Sequence, residues 1–290
     1  MPTITLVIPS YNAPREHLER LYRSLLAQTL EDFEAVFVDD ASREDHYDLL
    51  RDPRIRILRR EKNQGPAVCR NAGVADARAP LLFFTDTDCA LAPDTLERAV
   101  RHLEHSDATV GDTVTETRTM FGRAVALLGF PGGGCIGFHN VWRVSPEGLA
   151  ASFSSCNVAF HKTVFEEMGR FDESFPVPGG EDTVLARRMN DAGKRLRYVP
   201  EQIVYHVERR GWKNFLRWQV LRGRGNYHIK KHVPEVGSYL RLRLWTFRNS
   251  FRAAGPWYGL PVFVLLCASV AGQMCGYWLE KRKTRRSEMR

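Results

Sequence analysis

Leu81-Leu82-Phe83-Phe84-Thr85-Asp86-Thr87-Asp88 decides how this chain is read. An apolar run with a polar stop is the pattern of a strand buried on both faces. The two aspartates stand just beyond its carboxyl end. Alternate residues of an extended segment point the same way, so Asp86 and Asp88 can address one cation. An Asp-x-Asp triplet recurs by chance in many proteins. At the end of an internal strand it means more, because paired carboxylates repel and require a counter-charge.

Working outward, residues 4–8 form another short apolar run, ending in Pro9-Ser10-Tyr11-Asn12. A helix is predicted from Pro14, with Leu18, Leu21, Leu25 and Leu26 on one face. Residues 34–38 read as a strand closed by Asp39-Asp40-Ala41-Ser42, residues 54–58 as a third, and 81–85 as a fourth. Helices are predicted over 65–77 and 93–105, the latter with Leu96, Val100 and Leu103 facing inward. This alternation implies an α/β fold with a doubly wound, mostly parallel sheet flanked by helices. Ligands of such sheets lie beyond the carboxyl ends of the strands. Tyr11-Asn12, Asp39-Asp40 and Asp86-Thr87-Asp88 all fall there, and their convergence weighs more than any one of them.

Residues 120–137 are apolar and small around Pro131-Gly132-Gly133-Gly134, and read as a mobile loop between short helices. A helix over 182–192 follows Gly179-Gly180-Glu181 and stops at Gly193, with strands near 196–199 and 203–205 after it. Carboxylates at a helix N-terminus are favoured by the helix dipole, so Glu181 and Asp182 can be plain caps. A base on a rigid element reached through two glycines equally suits proton abstraction. His206, at a strand end, is either structural or a neutral imidazole completing a metal shell. Asp39 and Asp40 are either turn residues or acceptors for a base or ribose.

At 290 residues, with 43% hydrophobic and 26% charged residues, the composition is that of a globular enzyme and excludes a largely disordered or collagenous chain. The net charge of +8 is unevenly placed: residues 209–290 hold 18 Lys/Arg against 3 Asp/Glu, and the rest holds 24 against 31. The basic character therefore belongs to the C-terminal segment, which can attract nucleic acid or anionic lipid headgroups. The six cysteines show no CxxC pair or zinc spacing and read as reduced thiols of a cytosolic protein. No secretion signal is visible at the N-terminus. Residues 253–279 carry no charge and are long enough to span a bilayer, although Pro256, Gly259, Pro261 and Gly272 weaken that reading. A span, a re-entrant or surface-lying segment and a helix hairpin packed on the enzyme all stay open. Basic residues on both sides give no orientation.

The chain resembles the family 2 glycosyltransferases of GT-A fold. The carrying motifs are Val7-Ile8-Pro9-Ser10-Tyr11-Asn12, Val38-Asp39-Asp40-Ala41-Ser42, Asn63-Gln64-Gly65-Pro66-Ala67 with Arg70-Asn71-Ala72-Gly73, and Thr85-Asp86-Thr87-Asp88. Asn157-Val158-Ala159-Phe160, Gly169-Arg170-Phe171-Asp172-Glu173, Gly180-Glu181-Asp182 and His206 continue the series. The resemblance covers roughly residues 3–230 and implies a catalytic domain over 1–230. Residues 231–290 would then be a basic and apolar helical segment associated with the membrane. It implies transfer of a sugar from a nucleotide-diphosphate sugar, with a UDP-sugar foremost, and Mg2+ or Mn2+ as cofactor. Pro9, Tyr11, Asp39, Asp40, Arg70 and Asp86 would hold the nucleotide, and Asp88 and His206 the metal. Asp182 would be the general base, with Glu181 orienting the acceptor, and the anomeric centre would invert in one displacement. Apart from the resemblance, the apolar 120–140 loop and the C-terminal segment suggest an envelope glycan or lipid-linked acceptor, with the cytoplasmic face of the cell membrane as the expected location and nucleic acid no partner. Processive members carry Gln-x-x-Arg-Trp after the base. Here Arg217-Trp218 is present but Asn214 stands in place of the glutamine, which implies transfer of a single sugar. With Arg222-Gly223-Arg224-Gly225-Asn226 following, the segment from Phe215 can instead clamp a diphosphate.

Two other readings are weaker. A nucleotidyltransferase prefers a basic, Gly-rich loop after the first strand, and a Rossmann dehydrogenase needs G-x-G-x-x-G there. Pro9-Ser10-Tyr11-Asn12-Ala13 is neither. A non-catalytic lipid- or nucleic-acid-binding protein would explain Arg241, Arg243, Arg248 and Arg252, and would leave the strand-end carboxylates without a task.

Overall fold

In a computed structural model the described residues are 1–44, 46–175, 179–232 and 236–288, the side chains of 231–240 and 287–288 excepted. Strands β1 (Ile4–Ser10), β2 (Phe33–Asp39), β3 (Ile55–Arg59), β4 (Leu81–Phe84), β5 (Cys89–Leu91), β6 (Ala108–Glu116), β7 (Val158–His161) and β8 (Leu196–Val207) form one sheet. Its order is β3-β2-β1-β4-β7-β6-β8-β5. Four of the seven pairings are parallel, and those of β7 with β4 and β6 and of β5 with β8 are antiparallel.

Apolar runs at the centre of this sheet are buried because helices cover both faces. Leu6 and Ile8 of β1 join Leu18, Leu21 and Leu25 of α1 (Arg15–Leu26) in one core. Val7, pointing the other way, joins Ala67 and Val74 of α2 (Pro66–Asp76) in a second. A Cβ at Gly73 would come within 2.5 Å of Val7, so only glycine lets α2 lie this close to the sheet. Leu26 departs from the expected inward face: at 47% exposure it lies on the solvent side of α1. The helix α3 (Thr95–Leu103) buries Leu96 and Leu103 as expected.

Two segments differ from their sequence reading. The stretch expected as two strands is the single strand β8. Its pairing to β6 jumps from Gly111 opposite Val199 to Asp112 opposite Ile203, so residues 200–202 bulge out without ending it. Pro200, lacking an N–H, sits in that bulge. The apolar stretch after β6, expected as a mobile loop between short helices, is largely packed into a core. It forms α4 (Met120–Ala126), whose first turn is capped by the Thr119 hydroxyl accepting from the Gly122 N–H. Leu127, Leu128, Phe130 and Ile136 then bury themselves against Phe215, Ala254, Val262 and Leu265 in a third core.

After α5 (Lys162–Glu167), α6 (Glu181–Asp191) and β8, the chain continues as α7 (Trp212–His232) and α8 (Val236–Glu288). Helix α8 breaks at Gly255, with φ 60° and ψ −171°. Pro256 pushes the preceding residue into an extended ψ, and glycine alone takes the positive φ without strain. Before the break α8 lies along the third core, where Thr246 Oγ1 donates to the Val141 carbonyl and Asn249 Nδ2 to that of Asn140. Beyond it, α8 runs parallel to α7, with Gln219 beside Ser269 and Arg224 beside Glu280.

Candidate active site

Strand register collects the polar ends of the sheet on one edge. Ser10 pairs with Asp39, Val7 with Phe84, and Cys89 with His206. The residues following β1, β2 and β4 and closing β8 therefore converge. Helix α6 starts at the same edge behind Gly180, whose φ is 113°. A Cβ there would fall 2.7 Å from Ile229 of α7, so this entry tolerates no side chain.

A cleft of about 1600 Å³ results. Nine of the ten residues expected from sequence line it: Pro9, Tyr11, Asp40, Arg70, Asp86, Asp88, Glu181, Asp182 and His206. Asp39 is not among them. Its carboxylate accepts from the Ser42 N–H at 3.2 Å and faces Arg59 at 3.7 Å, so it shapes the loop after β2 and does not reach the cleft wall. Asp40 lines the cleft, with both oxygens engaged: the backbone N–H groups of Gln64 and Gly65 donate to them at 2.9 and 2.8 Å. It thereby ties the loop after β2 to the start of α2.

A buried ion chain crosses the floor. Arg70, on α2, donates through Nη1 to Glu181 Oε1 at 3.0 Å and through Nη2 to Asp86 Oδ1 at 2.7 Å. Sequence placed Arg70 beside a nucleotide; the structure gives both of its Nη groups to carboxylates. Burial disfavours its charge, but Asp86 and Glu181 outweigh that and keep the guanidinium protonated. Burial raises the pKa of Asp86, and the Asp88 charge adds to it, against the pull of Arg70. Burial also raises Glu181, reinforced by Asp182. Asp182 is raised by burial too, partly offset by the Thr183 N–H. Among the described residues its hydrogen bonds all go to Oδ1, from the Thr183 N–H at 2.7 Å and hydroxyl at 3.4 Å, which leaves Oδ2 uncommitted.

Asp88 and His206 face each other, Nε2 to Oδ2 at 3.2 Å. His206 Nδ1 lies 2.7 Å from the Val207 carbonyl, to which it donates. A neutral ring therefore presents the Nε2 lone pair to the Asp88 carboxylate. Two acceptors this close need a proton or a cation between them. With a proton, burial opposes the charged ring, but Asp88 lifts the His206 pKa to about 9. Asp88 in turn, although burial raises it, is held below the usual carboxylate range by His206. With a cation, one carboxylate oxygen and one imidazole nitrogen are donors suited to Mn2+ or Mg2+. Cys89 belongs to the same cluster, all within 4.8 Å, yet its fully buried thiol is driven far up in pKa and stays protonated.

Part of the cleft lining is basic and aromatic. Arg222 stacks at 3.8 Å over Phe130, Arg209 at 4.2 Å over Trp218, and Arg243 at 5.3 Å over Phe130. Arg217, Arg222 and Trp218 come from the segment read as a possible diphosphate clamp. Arg209, Arg241 and Arg243 were missed as cleft residues, although all three line it. Arg209 stands three residues after His206, a signal that spacing alone could have flagged. Arg241 and Arg243 carried no such mark within the basic tail.

The model of the Glycosyl transferase family 2 matches residues 5–168. The succinoglycan biosynthesis protein ExoO of Rhizobium meliloti is 27% identical over 225 residues, 71% of this chain and 61% of that protein. The putative teichuronic acid biosynthesis glycosyltransferase TuaG of Bacillus subtilis is 33% identical over 107 residues, 35% of this chain and 42% of the relative. The chain thus spans less than two thirds of either relative. Among solved structures, a mannosyltransferase from Pyrobaculum calidifontis in complex with GDP-Man and Mn2+ superposes with a TM-score of 0.57 at 19% identity, over 99% of this chain and 80% of that one. GalNAc-T7 with UDP, GalNAc and Mn2+ gives 0.58 at 17%, over 86% and 54%. With its fold matched by these structures and more than half of its length by the family model, the chain belongs to glycosyl transferase family 2 and has the GT-A fold.

Proposed function

We propose that the cleft moves a single sugar from a nucleotide-diphosphate sugar, a UDP-sugar foremost, to a hydroxyl of an envelope glycan or lipid-linked acceptor. One observation carries this reading: Asp40, the Asp86/Asp88 pair, Glu181 with Asp182, and His206 arrive from distant stretches of chain and share one cleft with an arginine wall. That meets the two electrostatic needs of the reaction, charge neutralisation at a departing diphosphate and removal of a proton from the acceptor. Asp40 and the loops it braces, with Pro9 and Tyr11, hold the nucleotide end. Asp88 and His206 would hold a divalent ion, which when bound supplies positive charge to the diphosphate. The Mn2+ in both superposed complexes supports that assignment. Arg209, Arg217 and Arg222 add fixed positive charge to the same side.

Asp182 takes the acceptor proton through Oδ2. A carboxylate raised by burial is a stronger base than one in water, yet stays ionised near neutrality when its shift is modest. Glu181, anchored to Arg70 and to the Gly179 N–H at 2.9 Å, fixes the start of α6 and so the place of Asp182. Attack opposite the leaving group inverts the anomeric centre, with no covalent sugar–enzyme intermediate. The family match leaves the nucleotidyltransferase and the non-catalytic binding protein without support. We place the chain on the cytoplasmic face of the membrane, with residues 1–230 as the catalytic part and 231–290 as its attachment. The relatives named for succinoglycan and teichuronic acid biosynthesis support an envelope acceptor.

The test is a panel of nucleotide sugars with Mn2+, read first by thermal stabilisation and then by release of nucleoside diphosphate. A donor that stabilises the protein in a metal-dependent way and turns over supports the proposal. Asp182→Asn should bind that donor and release diphosphate at least about a hundredfold more slowly, and normal turnover in Asp182→Asn removes it as the base.

A further inference from the structure

We infer that α8 beyond Gly255 is an in-plane membrane anchor, lying along an anionic bilayer surface and not crossing it. This rests on the membrane association proposed above and adds its mode, its residues and its lipid preference.

The helix has two unlike faces. Val262, Leu265, Ser269, Gly272, Gly276 and Glu280 recur every three or four residues and are buried. On the other side Trp257, Leu260, Phe263, Val270, Met274 and Trp278 are exposed, Trp257 at 87% and Leu260 at 73%. The exposed stripe carries no charge over residues 257–279, a length of about 35 Å at the rise of an α-helix. Hydropathy and length alone would pass this helix as a bilayer span.

The buried face excludes that. Gln219 of α7 accepts at Oε1 from Ser269 Oγ and from Gln273 Nε2, both at 2.8 Å, and Asn226 Nδ2 donates to Gln273 Oε1 at 3.0 Å. Glu280 meets Arg224 at 2.6 Å and His228 at 3.2 Å. The backbones touch: a Cβ on Gly223 would fall 2.0 Å from the Gln273 carbonyl, and one on Gly276 2.0 Å from that of Val220. Helix α8 is thus fastened along residues 269–280 to α7, which carries Arg217, Arg222, Arg224 and Lys230. A crossing helix would either drag those charges into hydrocarbon or tear open the polar ladder and turn Gln273 and Glu280 toward lipid.

Lying in the plane satisfies both faces. The apolar stripe sinks to the acyl boundary, with Trp257 and Trp278 near its two ends, where indole rings prefer the interface. Arg248 and Arg252 precede the stripe, and Lys281, Arg282, Lys283, Arg285 and Arg286 follow it. These flanks select a lipid surface over a second copy of the chain, since copies pairing through the stripe would set basic flank against basic flank. They also select anionic over neutral lipid.

The experiment adds the full chain to preformed vesicles of phosphatidylcholine with or without phosphatidylglycerol. Flotation measures binding, and a membrane-impermeant maleimide with peptide mapping measures exposure in Ala253→Cys and Lys283→Cys. Flotation with the anionic vesicles, labelling of both introduced cysteines, and protection of the native Cys267 and Cys275 are expected. Combining Trp257→Ser, Phe263→Ser and Met274→Ser should weaken flotation about tenfold or more, with diphosphate release in solution unchanged. Protection of Lys283→Cys until detergent is added would overturn the in-plane mode while keeping membrane association. Absence of flotation, with a concentration-dependent dimer in light scattering, would overturn both.

Discussion

Replacing Arg70 by alanine tests the energetic centre of the site. Its guanidinium is the only counter-charge in hydrogen-bonding reach of Glu181 among the described residues, and it bonds Asp86 on its other side. Removing one partner of a buried ion pair strands the other charge, at a cost of about 3–5 kcal/mol. Glu181, with a side chain 4% exposed, bears that cost in full, whereas Asp86, at 30%, recovers water from the cleft. Arg70→Ala should therefore lose about 3–5 kcal/mol near neutral pH, with a fall in Tm of about 5–8 °C for a chain of this size. The loss should depend on pH. Burial already lifts Asp86 and Glu181 above their ordinary range with Arg70 in place, and both rise further without it. A carboxyl with a raised folded pKa binds more protons folded than unfolded, so stability falls as pH climbs from the unfolded to the folded value. The deficit should be largest at pH 8 and shrink toward pH 5. Urea unfolding of both proteins at several pH values measures it. A loss under about 1 kcal/mol, or one that does not vary with pH, would refute this role of the buried ion chain.

If Asp182 is the base it must act ionised, and burial raises it, so kcat/KM should rise with pH through a pKa above the ordinary carboxylate range and then level off; an acid limb at the ordinary value counts against Asp182. Asp182→Asn should lower kcat by about 10²–10⁴-fold with the donor still bound in a thermal-shift assay. Asp88→Ala and His206→Ala should each weaken Mn2+-dependent donor stabilisation by about tenfold or more, and a stabilisation insensitive to both would dismiss them as ligands. Glu34, remote from the cleft, accepts from Thr5, the Arg78 N–H and Arg56. Although burial opposes it, these bonds lower its pKa, so its contribution is present above the unfolded value of about 4.5 and is lost as pH falls. Glu34→Gln should then cost about 1–3 kcal/mol at pH 7, fading below about pH 4, with activity at saturating donor unchanged.

What the sequence disclosed depended on whether the deciding partners were local. The runs at 4–8, 34–38 and 81–85 are strands within a residue or two of their expected bounds, because burial on both faces leaves a run of apolar residues with no competing pattern. Leu26 fails for a geometric reason: neighbours in a helix are 100° apart, and the stripe through Leu18, Leu21 and Leu25 has no width left for it. Residues 120–137 fail because their burial is decided far away. Leu127, Phe130 and Ile136 pack on Phe215, Val262 and Leu265, and no local period announces partners more than 70 residues distant. Asp39 and Asp40 divide for the simplest reason. Adjacent residues of an extended segment face opposite ways, so one of the pair turns to the cleft and the other away. Choosing between them needs the sheet register, which the order of residues alone does not state.

The basic C-terminal region shows the same limit on charge. Summed over 209–290, its 18 cations read as one tail with one task. In space they separate: Arg209, Arg217, Arg222, Arg241 and Arg243 enter the cleft, Arg224 neutralises Glu280 between two helices, and Lys281, Arg282 and Lys283 flank the apolar stripe. Gly255 makes the division possible. By turning α8 back at that point, the chain lays its first half beside the cleft and its second half along α7, so Arg241 and Lys281 serve different surfaces although one helix span holds both. A net charge bounds how strongly a region attracts anions. Which surface each residue serves, the cleft lining or the flank of the apolar stripe, follows from that one positive φ.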